Sequence, residues 1–141
     1  MTTLSAAKNR VYEVNVDPLL NDVPMIASDT IYAGAAVGES SSTGNARPLV
    51  AGDTFLGFAV ATVTNTSTIG DYTVRVRQRG VVKLDVTGIS ADDDLGTAVY
   101  ASDDDTFTTT SGSNTQIGKV VRWISGTTCM VYFEAANVRS I

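Results

Sequence analysis

The sequence predicts an all-β protein, a small antiparallel β-sandwich or barrel-like domain that follows an extended N-terminal arm. Apolar and polar residues alternate in Tyr72–Arg79 and again in Val81–Thr87, and this is the period of strands that bury one face. The apolar runs are short and are separated by turn-forming Gly, Asn, Asp and Ser residues, which is typical of sandwiches and small barrels.

Residues 1–22 are predicted to form the arm and residues 23–141 the β-domain. Within the arm, Arg10–Val16 alternates weakly between apolar and polar positions. Asp17-Pro18 ends this run, because proline donates no ladder hydrogen bond and restricts the residue before it. The run predicts a short edge-type strand at the end of a tail. It fits a first strand of the domain itself equally well.

Seven strands are predicted in the domain, each bounded by turn residues. In chain order they are Thr30–Val37, Thr54–Val63, Tyr72–Arg79, Val81–Thr87, Thr97–Ser102, Gln116–Ile124 and Thr128–Ala135. Val82, Leu84 and Val86 are expected to share one face of their strand, opposite Val81, Lys83, Asp85 and Thr87. Cys129 is the single cysteine, so no internal disulfide is expected, and its place in the last strand predicts a buried thiol.

Composition argues against several functional classes. With 43% apolar and 18% charged residues, the chain can bury a core and is unlike a disordered protein. Its net charge of −5 disfavours binding to phosphate backbones. No apolar run approaches the ~20 residues of a membrane helix, and the first residues lack a signal-peptide pattern. We therefore expect no nucleic-acid or membrane partner, and assembly in a cytoplasm.

The sequence contains no recognisable catalytic pattern. It has no histidine, which removes Ser-His and Cys-His nucleophiles and the commonest metal ligand. The three glutamates, Glu13, Glu39 and Glu134, are far apart and lie in unlike contexts. We therefore expect no enzymatic activity, no cofactor and no dedicated metal site.

Two aspartate runs, Asp92–Asp94 and Asp103–Asp105, are the sharpest acidic clusters. Clustered carboxylates can hold Ca²⁺, but aspartate also favours turns because its side chain accepts hydrogen bonds from nearby amides. Solvated turns are the preferred interpretation and a calcium site is the alternative.

Asn65-Thr66-Ser67 matches the glycosylation acceptor pattern, and the match is interpreted as a coincidence in a loop. Trp123 is interpreted as a core or interface residue.

Arg75, Arg77 and Arg79 are expected to project together from one strand, in a chain with only ten basic residues. Exposed ion pairs contribute only about 0–1 kcal/mol each, so monomer stability alone does not account for such a row. The row fits a solvated strand face, a contact with acidic residues of a neighbouring copy or partner, or a polyanion site. Arginine suits a protein contact because its planar guanidinium pairs with a carboxylate through two hydrogen bonds.

Five short stretches occur in an order that resembles bacteriophage capsid decoration, or cement, proteins. They are Phe55–Val60, Asp71–Val76, Gly80–Val82, Gly96–Asp103 and Gln116–Val121. The resemblance covers roughly residues 30–135, whereas residues 1–29 are the least similar part. It implies a compact β-domain, commonly trimeric, that binds the outside of an assembled icosahedral shell near its three-fold positions. Such proteins reinforce the shell against genome pressure, and an N-terminal arm often reaches onto the shell proteins.

On this basis we expect a structural virion protein on the capsid exterior, a homotrimer whose partner is the major capsid protein of a phage shell. The expected oligomer or capsid contacts are Arg75, Arg77 and Arg79. The expected shell-binding residues of the arm are Arg10, Val11, Tyr12, Val14 and Val16.

The alternative function is a receptor- or carbohydrate-binding surface module of a phage fibre or bacterial adhesin. It needs an aromatic platform or a calcium site, for which the sequence offers only Trp123 and the aspartate runs. An oligonucleotide-binding barrel that uses the arginine row is a third possibility, and the pI of about 4.5 counts against it.

Overall fold

A computed structural model describes residues 3–13, 17–91 and 95–139 of the chain. These residues fold into twelve strands and one 3-10 turn, so the predicted all-β class is confirmed. The elements are β1 (Leu20–Pro24), β2 (Asp29–Ile31), β3 (Ala36–Glu39), β4 (Ala46–Pro48), β5 (Thr54–Ala59), β6 (Val63–Asn65), β7 (Thr73–Arg77), β8 (Arg79–Thr87), β9 (Ala98–Asp103), β10 (Thr106–Thr108), β11 (Thr115–Ser125), β12 (Thr128–Glu134) and the 3-10 turn Ala136–Val138.

The strands form two larger sheets and one small one. The first large sheet has the order β1-β7-β5-β3-β4 and is antiparallel throughout. It curls back on itself, because Met25, just after β1, forms a bridge with Ala46 in β4. The second, with the order β10-β8-β12-β11-β9, closes into a barrel in which only the β10–β8 pairing is parallel. β2 and β6 pair separately.

Two groups of buried side chains form the core, one for each large sheet. β5 lies between them, with Phe55 and Phe58 in the barrel core and Leu56 in the other. Since Phe55 and Phe58 are three residues apart, the strand cannot alternate regularly. Gly57 allows the irregularity with a φ of +123°, and a Cβ there would lie 2.1 Å from the Arg77 carbonyl oxygen of β7.

The predicted alternation is confirmed where the pattern is clearest. In β8, Val82, Leu84 and Val86 are buried, while Lys83 and the other side chains between them point the opposite way. Cys129 is buried in β12, as expected. The core faces of these strands are therefore set by local sequence.

Three parts of the strand prediction are corrected. Thr30–Val37 is two strands, β2 and β3, because the Ala35 amide donates to the Tyr32 carbonyl and turns the chain. Thr54–Val63 is also two elements, since β5 ends at Ala59. The pattern does not reveal β1, β4 and β10, because strands of three to five residues depend on their pairing partners rather than on an alternation of their own.

The N-terminal region of the structure includes a strand at the predicted domain boundary. β1 crosses the division predicted between residues 22 and 23, since all of its residues pair with β7. Residues 14–16, in the strand predicted for the arm, and the aspartate run 92–94 lie outside the described residues. Within the described ranges, no helix is long and apolar enough to cross a membrane.

The second aspartate run is not a solvated turn, contrary to the preferred interpretation. Asp103 and Asp104 are only 7% and 1% exposed at the β9–β10 connection.

Asn65, in the glycosylation pattern, is fully buried, and its amide donates to the carbonyls of Ile26 and Thr68. Trp123 is half-buried against the barrel core, as expected for a core or interface residue.

Candidate interaction surface of the N-terminal segment

The first described residues, 3–13, are called the N-terminal segment here, and they lie along the edge of the barrel. Tyr12 forms an antiparallel bridge with Val82 of β8. The Lys83 amide donates to the Val11 carbonyl at 2.9 Å, and the Glu13 amide donates to Val81, also at 2.9 Å. Since β10 pairs only with the last two residues of β8, the segment occupies a part of the β8 edge that β10 leaves free.

Arg10 is the deepest anchor of the N-terminal segment, with a side chain only 4% exposed. Its Nε donates to the Gly34 carbonyl at 2.8 Å, and its Nη2 donates to Asp105 Oδ1 at 2.9 Å. The guanidinium carbon lies 5.4 Å from the ring centroids of both Phe58 and Phe107. The charge is therefore paired, hydrogen-bonded and held by two aromatic rings, which compensates for its loss of water.

The turn Asp103–Asp105, called the acidic turn here, holds the earlier part of the segment. The Leu4 amide donates to Asp104 Oδ1 at 3.2 Å, and Lys8 Nζ lies 3.1 Å from Asp105 Oδ1. Burial raises the pKa of Asp104 to about 6, and the charges of its two aspartate neighbours act in the same direction, while the Leu4 amide opposes them. The acidic turn thus binds both main-chain and cationic groups of the segment.

Gly34 permits the close approach of the segment to the domain. Its φ is +89°, and a Cβ there would lie 2.1 Å from the Lys8 carbonyl oxygen. The Lys8 amide donates to the neighbouring Ala33 carbonyl at 2.8 Å. A side chain at position 34 would therefore collide with the docked main chain.

Tyr12 is the second anchor of the segment. Its ring packs against Phe133 of the barrel core, with centroids 6.2 Å apart, and the Arg77 guanidinium lies 4.3 Å from the Tyr12 ring centroid. Burial raises the pKa of Tyr12 to about 12, although Arg77 and Arg10 lower it. The phenol is therefore neutral over the physiological pH range.

The three arginines predicted as a row contact three different residues of the N-terminal region. Arg77 on β7 lies against Tyr12, as described above. Arg75 on the same strand pairs with Asp22 of β1, with 2.8 Å between Nε and Oδ1, and this hydrogen bond lowers the Asp22 pKa. Arg79 begins β8, and its Nε donates to the Asp17 carbonyl at 2.9 Å.

These contacts lie within one chain, and they split the expected row between two strands. Arg75 keeps a solvated side chain, 57% exposed, and Arg79 is 38% exposed. Arg77 is partly buried by its contact with Tyr12. The sequence missed these pairings because the partners are separated by more than fifty positions along the chain.

The residues expected to bind a capsid differ in their exposure. Val11 is 59% exposed, whereas Arg10 and Tyr12 are engaged with the chain's own domain. Val14 and Val16 lie outside the described residues. The sequence also does not predict that the acidic turn binds Lys8 and Arg10. The run of aspartates can be recognised in the sequence, but its binding partners are far from it along the chain.

Chemically, this surface offers anchoring groups and exposed apolar side chains. In the part of the chain that the structure describes, no three Cys, Asp or Glu side chains group as a metal site.

No protein-family model matches the chain. A comparison with curated proteins finds no match either.

Proposed function

We propose that this protein is a non-catalytic structural component of a phage virion, which binds the outside of the capsid and stabilises the shell. Its partner is the major capsid protein, and its working form is a homotrimer assembled in the host cytoplasm. The order of short motifs that resembles decoration proteins supports the proposal, and the all-β fold is compatible with it.

The observation that carries the proposal is a set of exposed apolar side chains on an anchored N-terminal region. Val11, Leu19 and Leu20 are 59%, 39% and 50% exposed. Val11 is next to Tyr12, which bridges to the barrel, and Leu19 is next to Leu20, which pairs with β7 as the first residue of β1. A surface fixed before binding loses less conformational entropy when its partner arrives.

Within this proposal, the arm residues divide into two roles. Arg10 and Tyr12 orient the segment through the contacts to Asp105 and Phe133, and Val11 contacts the shell. The shell-binding role of Val14 and Val16 stays a prediction from sequence. Arg75, Arg77 and Arg79 support the contact by holding Asp22, Tyr12 and Asp17 in place.

Trimerisation multiplies such contacts. Three linked segments convert the second and third attachments into intramolecular events, which raises the apparent affinity by roughly 10²–10⁴. Because the protein then binds the assembled shell better than its separated subunits, mass action stabilises the shell.

Co-sedimentation with undecorated phage shells from the same source tests the proposal. Val11→Asp places a charge in the proposed contact, and we expect it to lower shell binding at least about tenfold. Val121→Asp is the matched control, since Val121 is 41% exposed on β11 and outside the contact. Thermal unfolding checks that both variants fold, and light scattering measures the trimer. Binding of Val11→Asp at the wild-type level would contradict the proposed contact.

A further inference from the structure

A cavity of about 640 Å³ lies between the small β2–β6 sheet and the start of the N-terminal segment. Its volume is within the range of small-molecule sites. Leu4 and the acidic turn form part of its wall, and the turn after β2 forms another part. Val11, the proposed shell contact, is not among its lining residues.

The polar groups that line the cavity are mainly hydroxyls and carboxylates, and they lie beside apolar surface from Leu4 and Pro48. Ser28, Thr30 and Thr64 supply hydroxyls, while Asp29 and Asp104 supply carboxylates. Among the described residues that line it there is no lysine or arginine. Such a lining disfavours phosphate and other anions, and its carboxylate and hydroxyl oxygens suit a ligand that donates several hydrogen bonds.

One aromatic residue, Tyr32, joins the lining. It follows β2 directly, and its main chain is fixed by the turn in which the Ala35 amide donates to its carbonyl. Aromatic rings provide an apolar face with a polar end, which matches the alternating C–H and O–H surface of a sugar ring.

Two further features lie at the same cavity: an uncommon backbone conformation at Ser28 and a buried carboxyl group at Asp104. Ser28 has a φ of +56°, a conformation that is uncommon for a residue other than glycine and that concentrates at functional sites. Asp104 is a carboxyl group on a residue only 1% exposed, and its raised pKa is the kind of perturbation found in functional clefts. Strain, burial and a convergent polar lining therefore coincide.

We propose that this cavity binds a neutral carbohydrate, with Asp29 accepting hydrogen bonds from sugar hydroxyls, Tyr32 packing against the ring, and the buried Asp104 forming part of the wall behind them. The site is additional to the proposed capsid contact and does not depend on it. It also differs in position from the Trp123 platform suggested by sequence.

A nuclear magnetic resonance titration of the ¹⁵N-labelled full chain tests this assignment. The probes are the methyl glycosides of glucose, galactose, mannose and N-acetylglucosamine, each to about 10 mM, a range that detects weak millimolar binding. We expect amide shifts for at least one glycoside, confined to residues 28–32, 64–66 and 104. Because no shells are present, the result is independent of the capsid proposal.

Variants identify the groups that hold the sugar. Asp29→Asn removes the charge but keeps an oxygen that can accept from the Thr30 amide, the contact seen at 2.7 Å. We expect Asp29→Asn and Tyr32→Ala each to weaken binding at least about tenfold. Trp123→Ala is the control and should leave the affinity unchanged.

Several results would overturn the proposal. These are an absence of shifts with all four glycosides, shifts centred on the Trp123 hairpin, or unchanged affinity in both cavity variants. Shifts of the cavity residues with calcium chloride or spermidine, but with none of the sugars, would reassign the cavity to a cation.

Discussion

Arg10 and Asp105 form a largely buried ion pair between residues 95 positions apart in the sequence, with 2.9 Å between Arg10 Nη2 and Asp105 Oδ1. The two side chains are 4% and 14% exposed. This pair joins the N-terminal segment to the acidic turn, and the Phe58 and Phe107 rings enclose the guanidinium. The segment is therefore part of the folded domain in the isolated chain.

Arg10→Met is expected to lower the free energy of unfolding by about 3 kcal/mol, because it removes the buried donor to both Asp105 and the Gly34 carbonyl and leaves only the more exposed Lys8 on the carboxylate. Urea denaturation followed by Trp123 fluorescence measures the loss. Arg122→Met is the matched control, since Arg122 also pairs with a carboxylate, Glu13, but is 58% exposed. We expect that change to cost no more than about 1 kcal/mol. Equal losses in the two variants would contradict the anchoring role of Arg10.

Gly34→Ala is expected to dislodge the N-terminal segment, because the added methyl group collides with the Lys8 carbonyl. Limited trypsin digestion, which cuts after Lys8 and Arg10, should become much faster. Gly44→Ala is the control, since Gly44 also has a positive φ, of +72°, but no atom lies within 4 Å of the added carbon. Both variants carry the conformational cost of about 1 kcal/mol. Faster cleavage in Gly44→Ala than in Gly34→Ala would refute the steric explanation.

Local patterns predict the strands that supply the barrel core. The alternation of Val82, Leu84 and Val86 suffices for β8, because burial of one face is a property of consecutive residues. The dock of the N-terminal segment is different, since Arg10 contacts a carboxylate 95 positions away and Gly34 matters only through the Lys8 main chain. No local period carries that information.

The arginines illustrate the same limit. The sequence predicts that Arg75 and Arg77 share a strand face, and the structure places their valine neighbours Val74 and Val76 on the buried face of β7. It does not predict that β7 ends before Arg79, which begins β8. Pairing partners such as Asp22 follow from the register of β1 on β7, which only the folded sheet defines.

Asn65→Ala is expected to destabilise the protein by about 2 kcal/mol, because it removes a buried amide that donates to the carbonyls of Ile26 and Thr68. Thermal and urea denaturation measure the effect. Asn114→Ala is the control, since the Asn114 amide donates to Thr110 in an exposed loop. There we expect a loss of no more than about 1 kcal/mol. A negligible effect of Asn65→Ala would show that water replaces the lost donor.

The raised pKa of Asp104 predicts an unusual pH dependence of stability. Its carboxyl group has a pKa of about 6 in the folded protein, against an ordinary value of 3.8, because burial disfavours the charged form. The folded state therefore binds this proton more tightly than the unfolded state. The contribution of Asp104 is favourable below pH 4, declines as the pH rises through 6, and stays low above it.

Asp104→Asn should remove this dependence while keeping an oxygen for the Leu4 amide. We expect the variant to gain stability over the wild type between pH 4.5 and pH 7.5, by up to about 2 kcal/mol. Urea denaturation at the two pH values measures the change. Asp22→Asn is the contrasting variant, because Arg75 lowers the Asp22 pKa: its loss relative to wild type should grow as the pH rises from about 2 to above 4 and should not change between pH 4.5 and pH 7.5. If the difference between wild type and Asp104→Asn is the same at pH 4.5 and pH 7.5, burial does not set the protonation of Asp104.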